Sequence, residues 1–100
     1  MTPGALSPDT AIAWVGSLSI DLRAVAVLDA TGVVLAGDPS LGRRAAGALA
    51  ATPGAGDVQD GDLLAVRSRR HAVAASIGPH ALRRVTRGDL AAAAEALEGP

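Results

Sequence analysis

Cysteine, lysine, phenylalanine and tyrosine are all missing from this 100-residue chain, and Trp14 is its single aromatic residue. Without cysteine there is no disulfide framework and no thiol nucleophile. Without lysine every cation is arginine or histidine, which, beside 23 alanines, most simply reflects a GC-rich genome. Without Phe and Tyr there is little on which nucleic-acid bases could stack. The net charge of −1 is not the footprint of a nucleic-acid binder either, so no nucleic-acid partner is expected. No apolar run reaches the roughly 18 residues of a membrane span. No charged segment leads into a short apolar one, as a signal peptide requires. A cytoplasmic protein without a membrane partner is the expectation.

What remains is a chain that is 49% hydrophobic, its larger apolar residues being 12 Leu, 9 Val and 3 Ile. Alanine removes little apolar surface from water, at roughly 25 cal/mol per Å², and a small domain buries only a modest fraction of its surface. A second copy covering part of the surface is therefore expected. Residues 1–6 read as a disordered lead, and residues 7–98 as a single domain.

"SPDTAIAWVGSLS" opens a helix: Ser7 caps it, Pro8 fits the first position and Asp9 suits the positive end of the dipole. Ala11, Ile12, Val15 and Leu18 fall on one face, with Trp14 at its edge as packing or as a binding hot spot. "AVAVLDATGVVLAG" (Ala24 to Gly37) then reads as a hairpin. Asp29 suits the first turn position, and Gly32 the left-handed residue that closes a three-residue loop. Val25 and Val27 point one way, Ala24, Ala26 and Leu28 the other, so both faces need cover. "DPSLGRRAAGALAAT" is a second helix capped by Asp38 or Ser40. Its stripe is Leu41, Ala45, Ala48 and Leu49. The smooth strip Gly42, Ala46 and Ala50 beside it admits close approach, either of a partner helix or of the chain's own sheet. "PGAGDVQDGD" reads as a loop holding a very short strand or none. "LLAVRS" and "HAVAASIG" are strands about the turn "SRRH", with Leu64 and Val66 on one face and Val73 and Ile77 on one face. A last helix is predicted from Pro79, with Leu82, Val85, Leu90, Ala93 and Leu97 on one side and an interruption at Gly88 recapped by Asp89. The fold class that follows is α+β: an antiparallel sheet of four to five strands flanked by three helices, in the order α-β-β-α-β-β-α.

Sites of chemistry are hard to find in this sequence. There is no GxxxxGK[ST] and no GxGxxG between strand and helix, and in "GDPSLG" Asp38 would repel a phosphate at the helix N-terminus. His71 and His80 have no local HxxH or HxxxH partner; both are expected to face solvent. Asp57, Asp60 and Asp62 miss the 1, 3, 5 spacing of a calcium loop, and its twelfth position would be Ser68 rather than Glu; a turn entering a strand fits better. No GxSxG surrounds a serine, and the acids fall in turns, caps and the last helix rather than around a pocket. No catalytic residue, metal or cofactor is expected. Arg67, Arg69 and Arg70 crowd one turn, and Arg83, Arg84 and Arg87 follow on the last helix. Together they make either a basic patch for an acidic partner surface or phosphates, or a solvated hairpin tip and helix flank.

"RAVAVLDATGVVLAG" (Arg23 to Gly37), with its turn from Asp29 to Gly32, resembles the "GxVVLDxxGxVLA" hairpin of the Roadblock family, the dynein light chains with a profilin-like fold. "DLLAVRSRRHAVAASIGPHALRRVTRGDLAAAAEAL" (Asp62 to Leu97) is similar to the last part of a small bacterial member. The resemblance extends over about Ser7 to Leu97. It departs where the family has three strands after the second helix and this sequence shows two convincing ones. It implies a non-enzymatic homodimeric scaffold that regulates a small Ras-like GTPase or a signalling complex. Some bacterial members activate a GTPase without supplying an arginine finger. The strand and helix of the middle region commonly form the family's dimer interface, which here implies Leu41, Gly42, Ala45, Ala46 and Leu49; apart from the resemblance, Trp14 is a candidate contact as the lone aromatic on the first helix. A small-ligand sensor of PAS-like type is the alternative, and it would need a cavity.

Overall fold

In the first helix, α1 (Pro8–Leu18), the Ser7 hydroxyl accepts the Thr10 N–H at 3.2 Å, so the expected cap forms. The computed structural model describes residues 7–18 and 20–98; the lead expected over residues 1–6 lies outside them. Seven further elements follow: β1 (Leu22–Asp29), β2 (Val34–Gly37), α2 (Pro39–Ala51), β3 (Asp57–Asp60), β4 (Leu63–Arg67), β5 (His71–Ile77) and α3 (Arg83–Glu98). The strands form one sheet in the order β2-β1-β5-β4-β3, every neighbouring pair antiparallel.

The β1–β2 turn takes the predicted form. Asp29 Oδ1 accepts the N–H groups of Thr31 at 2.8 Å and Val33 at 3.0 Å, and Gly32 has φ +91°. At the other end of β2, Gly37 also has φ +91°, and a Cβ there would meet Ala26 Cα and Ile12 Cδ1, both at 2.9 Å, and the Val25 carbonyl oxygen. Asp38 caps α2 by accepting the Leu41 N–H at 3.0 Å.

Alternation along β1 divides the core in two, as its two apolar faces require. Val27, Leu64, Val66, Val73 and Ile77 meet α1 and α3 through Ala11, Val15, Leu90, Ala93 and Leu97. Ala26, Leu28, Leu63, Ala65, Ala72 and Ala74 meet α2 through Leu41, Ala45 and Leu49. Five of the nine buried residues on the α2 side are alanine, so that helix lies close to the sheet. At Gly42 it comes so close that a Cβ would strike the Val34 side chain.

Several expectations are corrected. The segment 57–60, read as a loop with a very short strand or none, holds the short strand β3, which gives the upper of the expected four to five strands and changes only the order, to α-β-β-α-β-β-β-α. Gly61, φ +60°, and Asp62 make the two-residue hairpin turn into β4. The last helix begins at Arg83 rather than Pro79. Asp21 holds the preceding loop: its carbonyl accepts the Gly78 N–H at 2.9 Å and its carboxylate the His80 N–H at 2.8 Å. Pro79 therefore belongs to a turn. Leu82 precedes the helix and Val85 lies off the stripe, so both are exposed, and Thr86 is buried instead. The helix runs unbroken through Gly88. Leu18, Val33 and Leu35 are exposed rather than covered.

Candidate functional site

The connection from β2 to β3 runs through α2 and crosses the sheet from edge to edge. It leaves β3 with one side paired to β4 and the other without a strand partner among the described residues. The Arg67 N–H donates to the Gly56 carbonyl at 2.9 Å. In an antiparallel ladder bonded pairs alternate, and with Val58 opposite Ala65 and Asp60 opposite Leu63, the backbone groups of Val58 and Asp60 point to β4. Those of Asp57 and Gln59 point outward. Val58 packs on the α2 side of the sheet, so Asp57 and Gln59 project on the α3 side.

Arginines hold both flanks of this edge. On the α2 side, Arg44 ion-pairs with Asp62 at 2.7 Å and donates to the Asp60 carbonyl at 2.8 Å. On the α3 side, Arg87 pairs with Asp57 at 3.1 Å, and Arg83 donates to the Gly61 carbonyl at 3.0 Å. Arg84 stands exposed beside them, in a shallow groove shared with Asp57 and Arg87. The Ser76 hydroxyl and then Arg44 hold the Asp62 carboxyl down at about 2.

The six arginines of the expected basic patch do not form one cluster. Arg67 closes the end of α2, donating to the carbonyls of Leu49 at 2.8 Å and Thr52 at 2.9 Å. Arg69 and Arg70 lie by the C-terminus of α3, whereas Arg83 begins that helix of 16 residues, about 24 Å away. Leu41, Gly42, Ala45 and Leu49 are buried against the chain's own sheet, and Ala46 sits over Gly32. Trp14 is exposed on α1. Sequence reasoning passed over Arg44, Val58 and Gln59. The signal available was the "DGD" turn, whose glycine closes a two-residue hairpin and so makes "DVQD" a strand.

His71, expected in solvent, is mostly covered and lies 3.4 Å from Glu98. Glu98 ties the end of α3 to the β4–β5 turn: it accepts the Ser68 hydroxyl at 2.5 Å and the Arg70 N–H at 2.6 Å. The Ser68 hydroxyl, then the Arg70 N–H and His71, hold its carboxyl at about 2, below the ordinary 4.5. Asp62 behaves alike, about 2 against 3.8. A carboxyl whose value is lowered in the fold stabilises it fully above the unfolded value and loses that contribution as pH falls toward the folded one. The urea midpoint is therefore expected to fall between about pH 4.5 and 2, and the Glu98→Gln variant to lose less over that range. Equal slopes for variant and wild type would contradict the assignment.

Among the described residues no three His, Cys, Asp or Glu gather as a metal ion would need, and no helix is long and apolar enough to cross a membrane. No family model and no curated relative matches the sequence. Solved structures do match. The Roadblock/LC7 domain from Streptomyces avermitilis superposes with a TM-score of 0.68 over 88% of this chain and 92% of that one, at 15% identity. The fold is that of a Roadblock/LC7 domain. The gliding protein MglB from Thermus thermophilus shares it, with a TM-score of 0.70 over 97% of this chain and 94% of that one, at 16% identity. In this Roadblock fold β3 supplies the third strand after α2, which the sequence had not clearly shown.

Proposed function

We propose that this chain is a non-enzymatic homodimeric scaffold that regulates a small Ras-like GTPase or a signalling complex. The free edge of β3, with outward backbone groups at Asp57 and Gln59, carries the reading. Two such edges meet antiparallel about a two-fold axis perpendicular to the joined sheet, which keeps both α2 helices on one side. Residues directly opposite then share a face. Because Asp57 and Asp60 project on opposite faces, they cannot oppose each other, and the axis passes through Val58 or Gln59. Centring on Val58 puts valine against valine and Asp57 against Gln59 of the second copy. Centring on Gln59 would put Val58 against Asp60. The first arrangement is the better one.

The helix contact moves accordingly. Leu41, Gly42, Ala45 and Leu49 support α2 from beneath, and the side toward β3, bearing Arg44, Ala48 and Ala51, faces the second copy. The exposed Arg84, with Arg83 and Arg87, offers positive charge to an acidic partner surface. The functional test is single-turnover GTP hydrolysis by the Ras-like GTPases of the same organism, with and without the purified chain. Acceleration, or a stable complex with one of them, is expected. A dimer that neither binds nor alters any of them would contradict the GTPase part.

A further inference from the structure

At the end of the sheet away from Asp21, a cavity of about 240 Å³ opens between the β1–β2 turn, the second half of α2 and the β4–β5 turn. Leu28, Ala46, Leu49 and Ala72 give it an apolar lining. Its ionisable lining residues are Asp29, Arg67, Arg69 and His71.

These four are not equally available to a ligand. Asp29 Oδ1 already accepts from the Thr31 N–H, the Thr31 hydroxyl and the Val33 N–H at 2.8, 2.7 and 3.0 Å. His71 has its imidazole on the other side of the sheet, beside Glu98. Arg67 is anchored at the end of α2 through one terminal nitrogen, yet its Nε is buried with no hydrogen-bond partner among the described residues. Arg69 is exposed at the rim, and its guanidinium makes no hydrogen bond or ion pair among the described residues. The two hydrogen bonds of Arg67 use only Nη2, and Arg67 lines the same apolar space as the exposed Arg69.

We propose that this cavity binds a small monocarboxylate with a compact apolar body, its carboxylate between Arg67 and Arg69 and its hydrocarbon against Leu28, Ala46 and Leu49. The volume lies below the usual range for drug-sized ligands, which limits the occupant to a few carbons beyond the carboxylate. A single negative charge suits the site better than a phosphate dianion, because Asp29 and the C-terminal end of α2 stand on its walls. The site belongs to one copy, lies on the flank of α2 away from β3 and goes beyond the dimer reading.

The test is a titration of the full chain with pentanoate, followed by amide chemical shifts, with pentanamide and inorganic phosphate in parallel. Saturable shifts at Thr31, Gly32, Ala50 and Arg69 are expected, with a millimolar Kd. Pentanamide should bind at least tenfold more weakly, and Arg69→Gln should weaken pentanoate at least fivefold. Ala50→Leu, at an exposed wall position, should abolish binding while the rest of the spectrum stays intact. Gln59→Pro, which acts only on the dimer edge, should leave it unchanged, so this proposal and the dimer reading fail separately. No saturation, equal binding of the amide, stronger binding of phosphate, or an unaffected Arg69→Gln variant would overturn the proposal.

Discussion

Replacing Gly37 by alanine is expected to lower the thermal midpoint by roughly 15 to 30 °C. The residue sits at φ +91°, where a Cβ costs about 1–2 kcal/mol on backbone grounds. That Cβ would also strike β1 itself, at the Val25 carbonyl and Ala26 Cα, as well as Ile12 of α1. The Val25 carbonyl cannot retreat freely, because it accepts the Asp38 N–H at 3.0 Å just before α2 begins. Forcing a methyl into a closed space adds about 1–3 kcal/mol. The sum, about 2–5 kcal/mol, is a large part of the roughly 5–15 kcal/mol that holds a domain of this size. The same substitution at Gly88 should do the reverse. Nothing lies within 4 Å of a Cβ there, and the position is inside α3, so alanine should stabilise by about 0.5–1 kcal/mol. Thermal unfolding of the two variants checks the pair; a midpoint for Gly37→Ala within a few degrees of wild type would show that β1 and α1 do not meet at Gly37 as described.

Gln59→Pro is expected to weaken self-association by at least a hundredfold while leaving the monomer folded. The Gln59 N–H points away from β4, so proline removes no bond from the β3–β4 ladder, and an outward edge position is where a strand tolerates it. In the proposed dimer the same N–H would meet the Asp57 carbonyl of the second copy, and the two-fold axis would double the loss. The ring also obstructs the approach of the other backbone. Val58→Pro is the control: its N–H faces β4, so that variant should lose stability as well as association. Size-exclusion chromatography with light scattering, read beside circular dichroism, separates the outcomes. A Gln59→Pro variant that associates like wild type would remove β3 from the interface.

The hairpin from Ala24 to Gly37 was legible because its information is local. Alternation sets the two faces, Asp29 and Gly32 set the turn, and no distant residue is needed. The fold class followed from that hairpin and the order of the elements. The β3 edge was much harder to read. A four-residue strand with aspartates at both ends has little β propensity of its own, and β3 exists because Val58 reaches the α2 core and Arg44 and Arg87 hold its flanks. Those contacts join residues far apart in sequence. The same is true of Arg67, which looked like one of a basic cluster until its guanidinium was found at the end of α2. Spacing along the chain placed Arg67 beside Arg69 and Arg70; only the fold sends its head group elsewhere. Leu41, Ala45 and Leu49 show the opposite limit: their periodicity identified a face correctly, but periodicity does not say whether a face meets the chain's own sheet or a second copy.

The chain contains no cysteine, which makes a single introduced thiol a clean reporter of the strand pair. If the axis passes through Val58, the two copies of that residue form a non-hydrogen-bonded pair with Cα atoms about 4.5 Å apart, within disulfide reach. Each Gln59 then opposes Asp57 of the second copy, so the two copies of Gln59 are offset by two residues along the ladder and lie beyond that reach. Mild oxidation of Val58→Cys at micromolar concentration should give a covalent dimer in high yield, and oxidation of Gln59→Cys little or none. Cross-linking of Gln59→Cys in preference, or of neither variant, would contradict pairing of the β3 edges about Val58.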